Sequence, residues 1–188
     1  MLYLMRHGQT DWNREYRLQG RTDIPLNDTG REMAAKARER YPDLSVDICY
    51  CSPLSRARET AEIFLAGRNV PIVPDGRIAE MSFGKYEGIQ SVIDHPELPI
   101  RDLFVAPERY VADGGSESFP EAFARTDDFL REQVIPRLDR GENVLLVAHG
   151  AINCCLYTVL TGTPLEKLWD SFCGNCEILK VPLFKNPS

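Results

Sequence analysis

The sequence contains only three histidines and no long apolar run, and both shortages limit what the chain can do. A helix that crosses a membrane needs about 20 apolar residues in succession, and no run comes near that length. The first residues also lack the basic segment, apolar segment and small-residue cleavage site of a secretory signal. We therefore expect a cytoplasmic protein that makes no membrane contact.

Positive charge is also scarce. Lys and Arg together number 22 against 28 Asp and Glu, which gives a formal net charge of -6. Such a chain lacks the broad basic surface that binds nucleic acid, although a local basic pocket remains open. With 188 residues, 43% of them hydrophobic, it has the size and composition of one globular domain. We expect a single domain over residues 1–188 and no nucleic-acid partner.

The six cysteines do not form a disulfide framework in this prediction. A chain of this length can bury a core without disulfides, and no secretory signal is present, so we expect reduced thiols. Cys173 and Cys176 form a CxxC pair, which can bind a metal or cycle between redox states. Because no second pair of ligands accompanies it, we predict neither a metal nor a cofactor.

Two apolar segments are followed closely by the same dipeptide, His-Gly. Residues 2–5 lead into Arg6, His7 and Gly8, and residues 144–148 lead into His149 and Gly150. In open α/β sheets the ligand crevice lies beyond the carboxyl ends of the strands. If the two strands are parallel, the imidazoles lie side by side, and the polar loop at 9–28 is long enough to fold over them.

Strands and helices alternate along the chain, which is typical of an α/β fold with a mostly parallel sheet. Ser52 and Pro53 predict a helix start, with Ser52 as the cap. Between Arg77 and Gly115 the periodicity breaks down, and only some short helix is expected. The predicted strands are 46–51, 70–73, 143–148 and an edge strand at 177–183, and the predicted helices are 29–41, 55–66, 119–138 and 151–160.

Five short motifs follow one another in the chain. They are Arg6-His7-Gly8, Gln19-Gly20, residues 52–61 (SPLSRARETA), residues 80–88 (EMSFGKYEG) and Ala148-His149-Gly150. In this order they resemble the histidine phosphatase superfamily, also called phosphoglycerate mutase-like, over nearly the whole chain. The resemblance implies a three-layer sandwich, with a mostly parallel central sheet flanked by helices and a variable rim or lid insertion at about residues 85–115.

The resemblance also implies that His7 is the nucleophile. A neutral imidazole whose tautomer is fixed can attack phosphorus and form a phosphohistidine, which splits a difficult hydrolysis into two easier steps. The charge on the transferring phosphoryl group needs fixed cations and donors, which Arg6, Arg56 and His149 are expected to supply. Glu80 is expected to protonate the leaving alkoxide and later to take a proton from water.

Further residues are implied to line the phosphate pocket through side-chain or backbone donors. They are Gly8, Asn13, Gln19, Gly20 and Gly150. Arg58 lies about 200° around a helix from Arg56, so we expect a structural or surface role for it. His95 is expected at the surface, and Glu87 is a less favoured substitute for the acid.

The same resemblance favours a phosphatase over a mutase. Mutases of the superfamily usually read His-Gly-Asn-Ser where this chain has Ala151 and Ile152 after His149-Gly150, and they carry a basic insertion. Residues 91–115 hold only Arg101 and Arg109 as cations. We predict a metal-independent phosphomonoesterase that hydrolyses a small phosphorylated metabolite through a phosphohistidine on His7.

Several alternatives stay open at this point. The chain could be a phosphoglycerate mutase-type phosphoryl transferase or a non-catalytic module that binds a phospholigand. A zinc site made of His7, His149 and Glu80 is a third alternative. It is disfavoured because the nearby Arg6 and Arg56 would repel a divalent cation. The insertion could be a lid, a packed rim or the surface of a homodimer, and the alcohol part of the substrate is not specified.

Overall fold

The apolar runs of the sequence form a five-stranded sheet in the computed structural model, which describes residues 1–182. The strands are β1 (Leu2–Arg6), β2 (Ile48–Cys51), β3 (Ile72–Pro74), β4 (Val144–Ala148) and β5 (Ile178–Val181). Their order across the sheet is β3-β2-β4-β1-β5. All neighbours are parallel except β5, which pairs antiparallel with β1 at the edge.

Helices cover both faces of this sheet, because successive side chains of each strand point in opposite directions. Leu4 and Met5 pack in different apolar clusters, one on each face. The helices α2 and α3 contribute to the Met5 cluster, and α5 and α7 contribute to the Leu4 cluster. The α/β class and the three-layer arrangement are thereby confirmed. The helices are α1 (Asp11–Arg14), α2 (Asp28–Arg40), α3 (Ser55–Phe64), α4 (Arg101–Val105), α5 (Phe119–Phe129), α6 (Ile135–Asp139) and α7 (Gly150–Thr161).

The helix starts follow local capping rules in two cases and depart from them in a third. Asn27 caps α2 by accepting from the Gly30 N–H at 2.8 Å, and Ser118 caps α5 in a capping box. The prediction that Ser52 caps α3 is wrong, since the cap position is Leu54 and no side chain caps it. The Ser52 hydroxyl instead lies 2.7 Å from the Nε2 atom of His149.

The predicted long helix at 119–138 is interrupted. Its backbone passes from α5 through a π-helical turn, Leu130–Val134, into α6. Pro136 lies in the first turn of α6 and has no N–H to donate to the preceding turn. The wider π-helical turn before the proline accommodates the missing hydrogen bond, so the helical backbone continues into α6.

Other bounds differ from the sequence patterns by a few residues. The loop at 9–28 contains α1, whose cap Thr10 forms a capping box with Asn13. Strands β2 and β3 begin two residues later than predicted. The last strand ends at Val181, and Leu183, which the prediction included, lies outside the described residues.

The segment between the third strand and α5 consists of short pieces, as its broken periodicity indicates. Short 3₁₀ turns at Gly84–Tyr86, Val92–Asp94 and Pro107–Arg109 flank α4. A further 3₁₀ helix, Leu165–Ser171, follows α7 and packs against this segment. Among residues 1–182, no helix has the length and apolar character needed to cross a membrane.

Candidate active site

The carboxyl ends of β1 and β4 lie next to each other, and both histidines extend from them. The two strands pair in parallel with Arg6 opposite Ala148, and the His7 N–H donates to the Ala148 carbonyl at 3.0 Å. The ring centroids of His7 and His149 are 5.1 Å apart, and both side chains are buried. The repeated strand ending therefore places the two imidazoles side by side, as the sequence predicts.

The protonation of His7 follows from its surroundings. Its Nδ1 atom lies 2.6 Å from the Gly8 carbonyl oxygen, which can only accept, so Nδ1 carries the proton and Nε2 presents a lone pair. Burial, with the positive charges of Arg56 and Arg6, lowers the pKa of His7 well below its usual 6.5. His7 is thus a neutral imidazole of one tautomer at neutral pH.

His149 is neutral for the same reasons. Burial and the nearby cations lower the pKa of His149 well below its usual range. Ser52 Oγ accepts from the Leu54 N–H at 3.3 Å and lies 2.7 Å from His149 Nε2. With the Ser52 hydroxyl donating to Nε2, the ring proton is on Nδ1, a buried atom that has no partner among the described residues.

Two arginines face the histidines. Arg56, on the first turn of α3, is fully buried and donates from its two terminal nitrogens to the carbonyls of Gly20 and Thr22, at 2.7 and 2.9 Å. The Arg6 guanidinium lies 4.8 Å from the ring centroid of Phe172. The Nε atoms of both arginines are buried and have no partner within the described part of the chain.

Glu80 reaches into the same place from the segment after β3. Its carboxylate accepts from the backbone N–H groups of Met81 and Ile152 at 3.0 Å, and from that of Ala151 at 3.3 Å. Two of these donors open α7, so Glu80 satisfies the first turn of a helix to which it does not belong. Burial raises the pKa of Glu80 above its usual value, against the opposing effects of the N–H donors and Arg56.

Arg6, His7, Arg56 and Glu80 line a cleft of about 400 Å³, whereas His149 is fully buried beside His7 and is not part of the lining. Of the residues that the resemblance implies for the pocket, Asn13, Gln19, Gly20 and Gly150 line it. Gly8 does not. Its N–H donates to Thr60 Oγ1 at 2.9 Å, its carbonyl accepts from His7, and a Cβ there would lie 2.5 Å from the Gly30 carbonyl oxygen. Gly8 is therefore a close-packing residue that fixes the His7 tautomer.

Glu87, Arg58 and His95 lie outside the cleft lining. The Glu87 carboxylate accepts from the N–H groups of Arg21, Thr22 and Phe83, at 3.0, 2.9 and 3.1 Å, and from the Thr22 hydroxyl. It joins the loop that holds Arg56 to the segment that carries Glu80. Arg58 pairs with Glu62 on the exposed side of α3, and His95 is exposed beside Glu97.

Sequence reasoning missed most of the apolar part of the cleft. Its wall includes an aromatic group from three separate segments, together with Leu18 and Ile93, and the rim carries Arg17. The aromatic residues are Phe83, Phe104, Trp169 and Phe172. Apolar residues in the insertion gave a signal for part of this wall, but no local pattern connected them with Trp169 and Phe172.

The cysteines and the alternative zinc site can also be placed. All six cysteines are free in the structure. Within residues 1–182, no three His, Cys, Asp or Glu side chains come together in a group that could hold a metal ion. His7, His149 and Glu80 thus do not form such a group.

Comparisons with known proteins agree with this arrangement. A family model described as histidine phosphatase superfamily (branch 1) matches residues 2–186. The "Probable phosphoglycerate mutase GpmB" of Enterobacter sp. is 32% identical over 189 residues, covering 99% of this chain and 86% of that protein. The "Uncharacterized phosphatase PhoE" of Bacillus subtilis is 35% identical, covering 85% and 76%. The solved structure of Bacillus stearothermophilus YhfR has a TM-score of 0.82 at 34% identity, covering 94% of this chain and 88% of that one.

Proposed function

The chain belongs to the histidine phosphatase superfamily, branch 1, and we propose that it is a metal-independent phosphomonoesterase that works through a phosphohistidine on His7. Its substrate in this proposal is a small phosphorylated metabolite. Similarity to proteins named as phosphatases supports the hydrolytic reaction, and the chemistry of the cleft supports the residue roles.

Three buried nitrogen atoms carry the proposal. Arg6 Nε, Arg56 Nε and His149 Nδ1 have no hydrogen-bond partner among the described residues. A buried donor left without a partner costs about 1–3 kcal/mol, so such a cluster favours a ligand or water that brings acceptor oxygens. A phosphoryl group brings several acceptor oxygens and negative charge, and the three donors surround the one neutral imidazole whose lone pair is free.

In the first step, His7 Nε2 attacks phosphorus, a P–N bond forms and the P–O bond to the alcohol breaks. The Arg6 and Arg56 charges and the His149 N–H stabilise the charge on the phosphoryl oxygens. Glu80 gives its proton to the leaving alkoxide. Its raised pKa suits this role, because a carboxyl group must be protonated to act as an acid.

In the second step, water attacks the phosphohistidine. Glu80, now ionised, takes a proton from the water, the P–N bond breaks, and inorganic phosphate leaves. His7 returns to the neutral tautomer that the Gly8 carbonyl specifies. Proton and charge balance over the cycle, with water as the second reactant.

Hydrolysis is favoured over a mutase reaction by the position of the cations. A mutase that moves a phosphoryl group on a sugar acid must also hold the carboxylate of that acid. Arg101 and Arg109 of the insertion do not line the cleft. Arg101 donates to the Ile93 carbonyl, and Arg109 lies beside Glu108. Arg17 does line the cleft, but it already donates to the Glu15 carboxylate and the Gly88 carbonyl.

The deciding experiment measures phosphate release and phosphoryl migration together. The full chain is assayed in EDTA with p-nitrophenyl phosphate, sugar phosphates, α-ribazole phosphate and 3-phosphoglycerate. We expect release without migration. We expect the His7→Ala variant to lose activity by about 10⁴-fold or more, as the loss of a nucleophile does elsewhere, and His95→Ala to retain it.

Two results would contradict the proposal. Migration of the phosphoryl group of 3-phosphoglycerate would assign a mutase, the activity in the printed name of the GpmB relatives. Turnover by His7→Ala would remove His7 as the nucleophile. Rapid quenching of the wild-type reaction should trap acid-labile protein-bound phosphate, which His7→Ala should lack.

A further inference from the structure

The rings on the wall of the cleft form a continuous series. Phe83 and Phe104 have centroids 6.1 Å apart, Phe104 and Trp169 stack at 5.5 Å with an interplanar angle of 22°, and Trp169 meets Phe172 edge-on at 6.1 Å. All four line the cleft. We call this series, Phe83, Phe104, Trp169 and Phe172, the aromatic wall. Phe104, Trp169 and Phe172 each keep part of their surface exposed, so these three rings present aromatic surface to the cleft.

The aromatic wall is fixed by contacts outside the cleft. Trp169 Nε1 donates to the Leu103 carbonyl at 3.0 Å, which ties the 3₁₀ helix after α7 to α4. Phe83 is almost fully buried. A ring surface held in advance binds a flat group at a small cost in side-chain entropy.

One end of the wall touches the phosphate-binding cations. Phe172 lies against Arg6, and a Cβ at Gly150 would lie 2.8 Å from the Phe172 ring. Phe172 keeps 48% of its surface exposed. A group esterified to a phosphate held by Arg6 would therefore lie directly against this wall.

The rim offers little to a second negative charge. Arg6 and Arg56 belong to the phosphate site. The remaining cation of the lining, Arg17, donates to the Glu15 carboxylate at 2.7 Å and to the Gly88 carbonyl at 3.0 Å. An adjoining chamber of about 490 Å³ adds the acidic Asp94 to its lining. Within residues 1–182, the lining of the cleft and chamber thus holds no cation that lacks a partner outside the phosphate site.

We propose that the alcohol part of the substrate is a flat aromatic or heteroaromatic group that carries no negative charge of its own. The inference rests on the proposed function and names the substrate class of the same cleft. Phosphomonoesters of sugar acids and bisphosphates fit this site less well, since their second anion meets apolar rings, a paired arginine and a carboxylate.

Binding of phosphonates tests the inference without turnover, because the P–C bond is not hydrolysed. Calorimetry compares naphthylmethylphosphonate, methylphosphonate and 3-phosphonopropionate on the full chain. We expect the aromatic ligand to bind at least about tenfold more tightly than either of the others, as ring contacts of this kind contribute. Phe104→Leu, which keeps an apolar side chain but removes the ring, should lose about tenfold for the aromatic ligand and less than twofold for methylphosphonate.

Val105→Leu is the matched control, since Val105 is the next residue of α4, is exposed and does not line the cleft. Equal affinity for the aromatic and carboxylated phosphonates would overturn the inference. Equal losses for both ligands in Phe104→Leu would also overturn it, by showing that the ring only supports the structure. Aromatic preference in binding, with no ester hydrolysed, would leave the inference standing and remove the proposed function. Hydrolysis without aromatic preference would do the reverse.

Discussion

The two halves of the cleft are built by different means. We call His7, His149, Arg6, Arg56 and Glu80 the polar floor. The floor residues lie at strand ends, on the first turn of α3 or against the first turn of α7, and backbone groups or buried side chains orient them. The aromatic wall comes from short helical turns and the residues that flank them, and it is held chiefly by rings packed on rings.

In the proposed function, the polar floor carries out the reaction and the aromatic wall recognises the substrate. Hydrogen bonds to the backbone fix direction within narrow limits, which is what attack, charge stabilisation and proton transfer require. Ring packing tolerates changes of size and angle, so the wall can vary while the floor stays in place. A change in a cation of the floor should therefore slow every substrate alike, and a change in its acid should matter only through the leaving group's need for a proton. A change in the wall should instead alter the choice among substrates by the shape of their alcohol part.

Among the substitutions Arg56→Lys, Glu80→Gln and Glu87→Gln, Arg56→Lys should cause the largest loss of kcat/KM. A lysine carries its three N–H donors on one nitrogen, so it cannot reproduce the separate positions from which Arg56 binds the Gly20 and Thr22 carbonyls and presents Nε. We expect kcat/KM to fall by about 10²–10³-fold, the usual loss when a transition-state donor is removed. The fall should be the same for naphthyl phosphate and glycerol phosphate.

Arg58→Lys is the control for this measurement, because Arg58 is two residues away on the same helix and is exposed beside Glu62. It should change kcat/KM less than twofold. If Arg56→Lys loses activity on only one class of substrate, Arg56 contributes to substrate recognition, and the proposed division of roles between the polar floor and the aromatic wall is wrong.

Glu80→Gln should distinguish the contribution of the acid to kcat from the contribution of the cations. A glutamine oxygen can still accept from Met81 and Ile152, but the side chain has no proton to give to the alkoxide. For glycerol phosphate we expect kcat to fall about 10²-fold. For p-nitrophenyl phosphate, whose leaving group needs no acid, the fall should be less than tenfold. Equal losses would contradict the acid role, and Glu97→Gln, at an exposed site, is the control.

The pH profile gives an independent view of the same residue. His7 must be neutral, and its pKa is lowered, so activity should persist below pH 6.5. Glu80 must be protonated, so activity on poor leaving groups should fall as pH rises through its raised pKa. Substrate phosphate also ionises with a pKa of about 6. Glu80→Gln and the wild type are therefore compared with the same substrate. The fall in activity at high pH, the alkaline limb of the profile, is assigned to Glu80 if it is absent from Glu80→Gln.

The histidines of the polar floor were predictable because their information is local and repeated, whereas Glu80 was expected there only because the resemblance implies it. The two strand endings required only the rule that parallel strands bring their carboxyl ends together. Arg56 followed from a helix that starts at a strand end. Ser52 shows where local reasoning fails. Its position in the sequence predicts a cap for α3, but in the structure its hydroxyl is hydrogen-bonded to His149, which is distant in the chain.

The aromatic wall was not predictable in the same way. The four rings come from three separate parts of the chain: the turn at Phe83, the short helix α4 with Phe104, and the 3₁₀ helix and its end with Trp169 and Phe172. Only tertiary packing brings such residues together, and composition alone cannot say which of the eight phenylalanines and two tryptophans will meet. The interruption of the helix near Pro136 is a similar case, since a proline in a helical pattern does not reveal whether the helix ends or widens.

Glu87 joins the two regions, and changing it should produce the smallest of these effects. One carboxylate oxygen accepts from Arg21 and Phe83, and the other from the N–H and hydroxyl of Thr22. In Glu87→Gln the amide NH₂ is accommodated best beside Thr22, whose hydroxyl can turn to accept while its N–H is left unpaired. That N–H should cost about 1 kcal/mol of stability, measured by urea unfolding.

The same change should loosen the loop whose carbonyls orient Arg56, so kcat/KM should fall about tenfold for aromatic and alkyl esters alike. The alkaline limb of the pH profile should stay where it is, because Glu80 still supplies the proton. Loss of that limb in Glu87→Gln, with the limb retained in Glu80→Gln, would instead make Glu87 the acid. Glu62→Gln, on the exposed side of α3, should leave the profile and the rate unchanged. A tenfold loss with the limb intact therefore identifies Glu87 as a positioning residue, acting on the floor through the loop at 20–22.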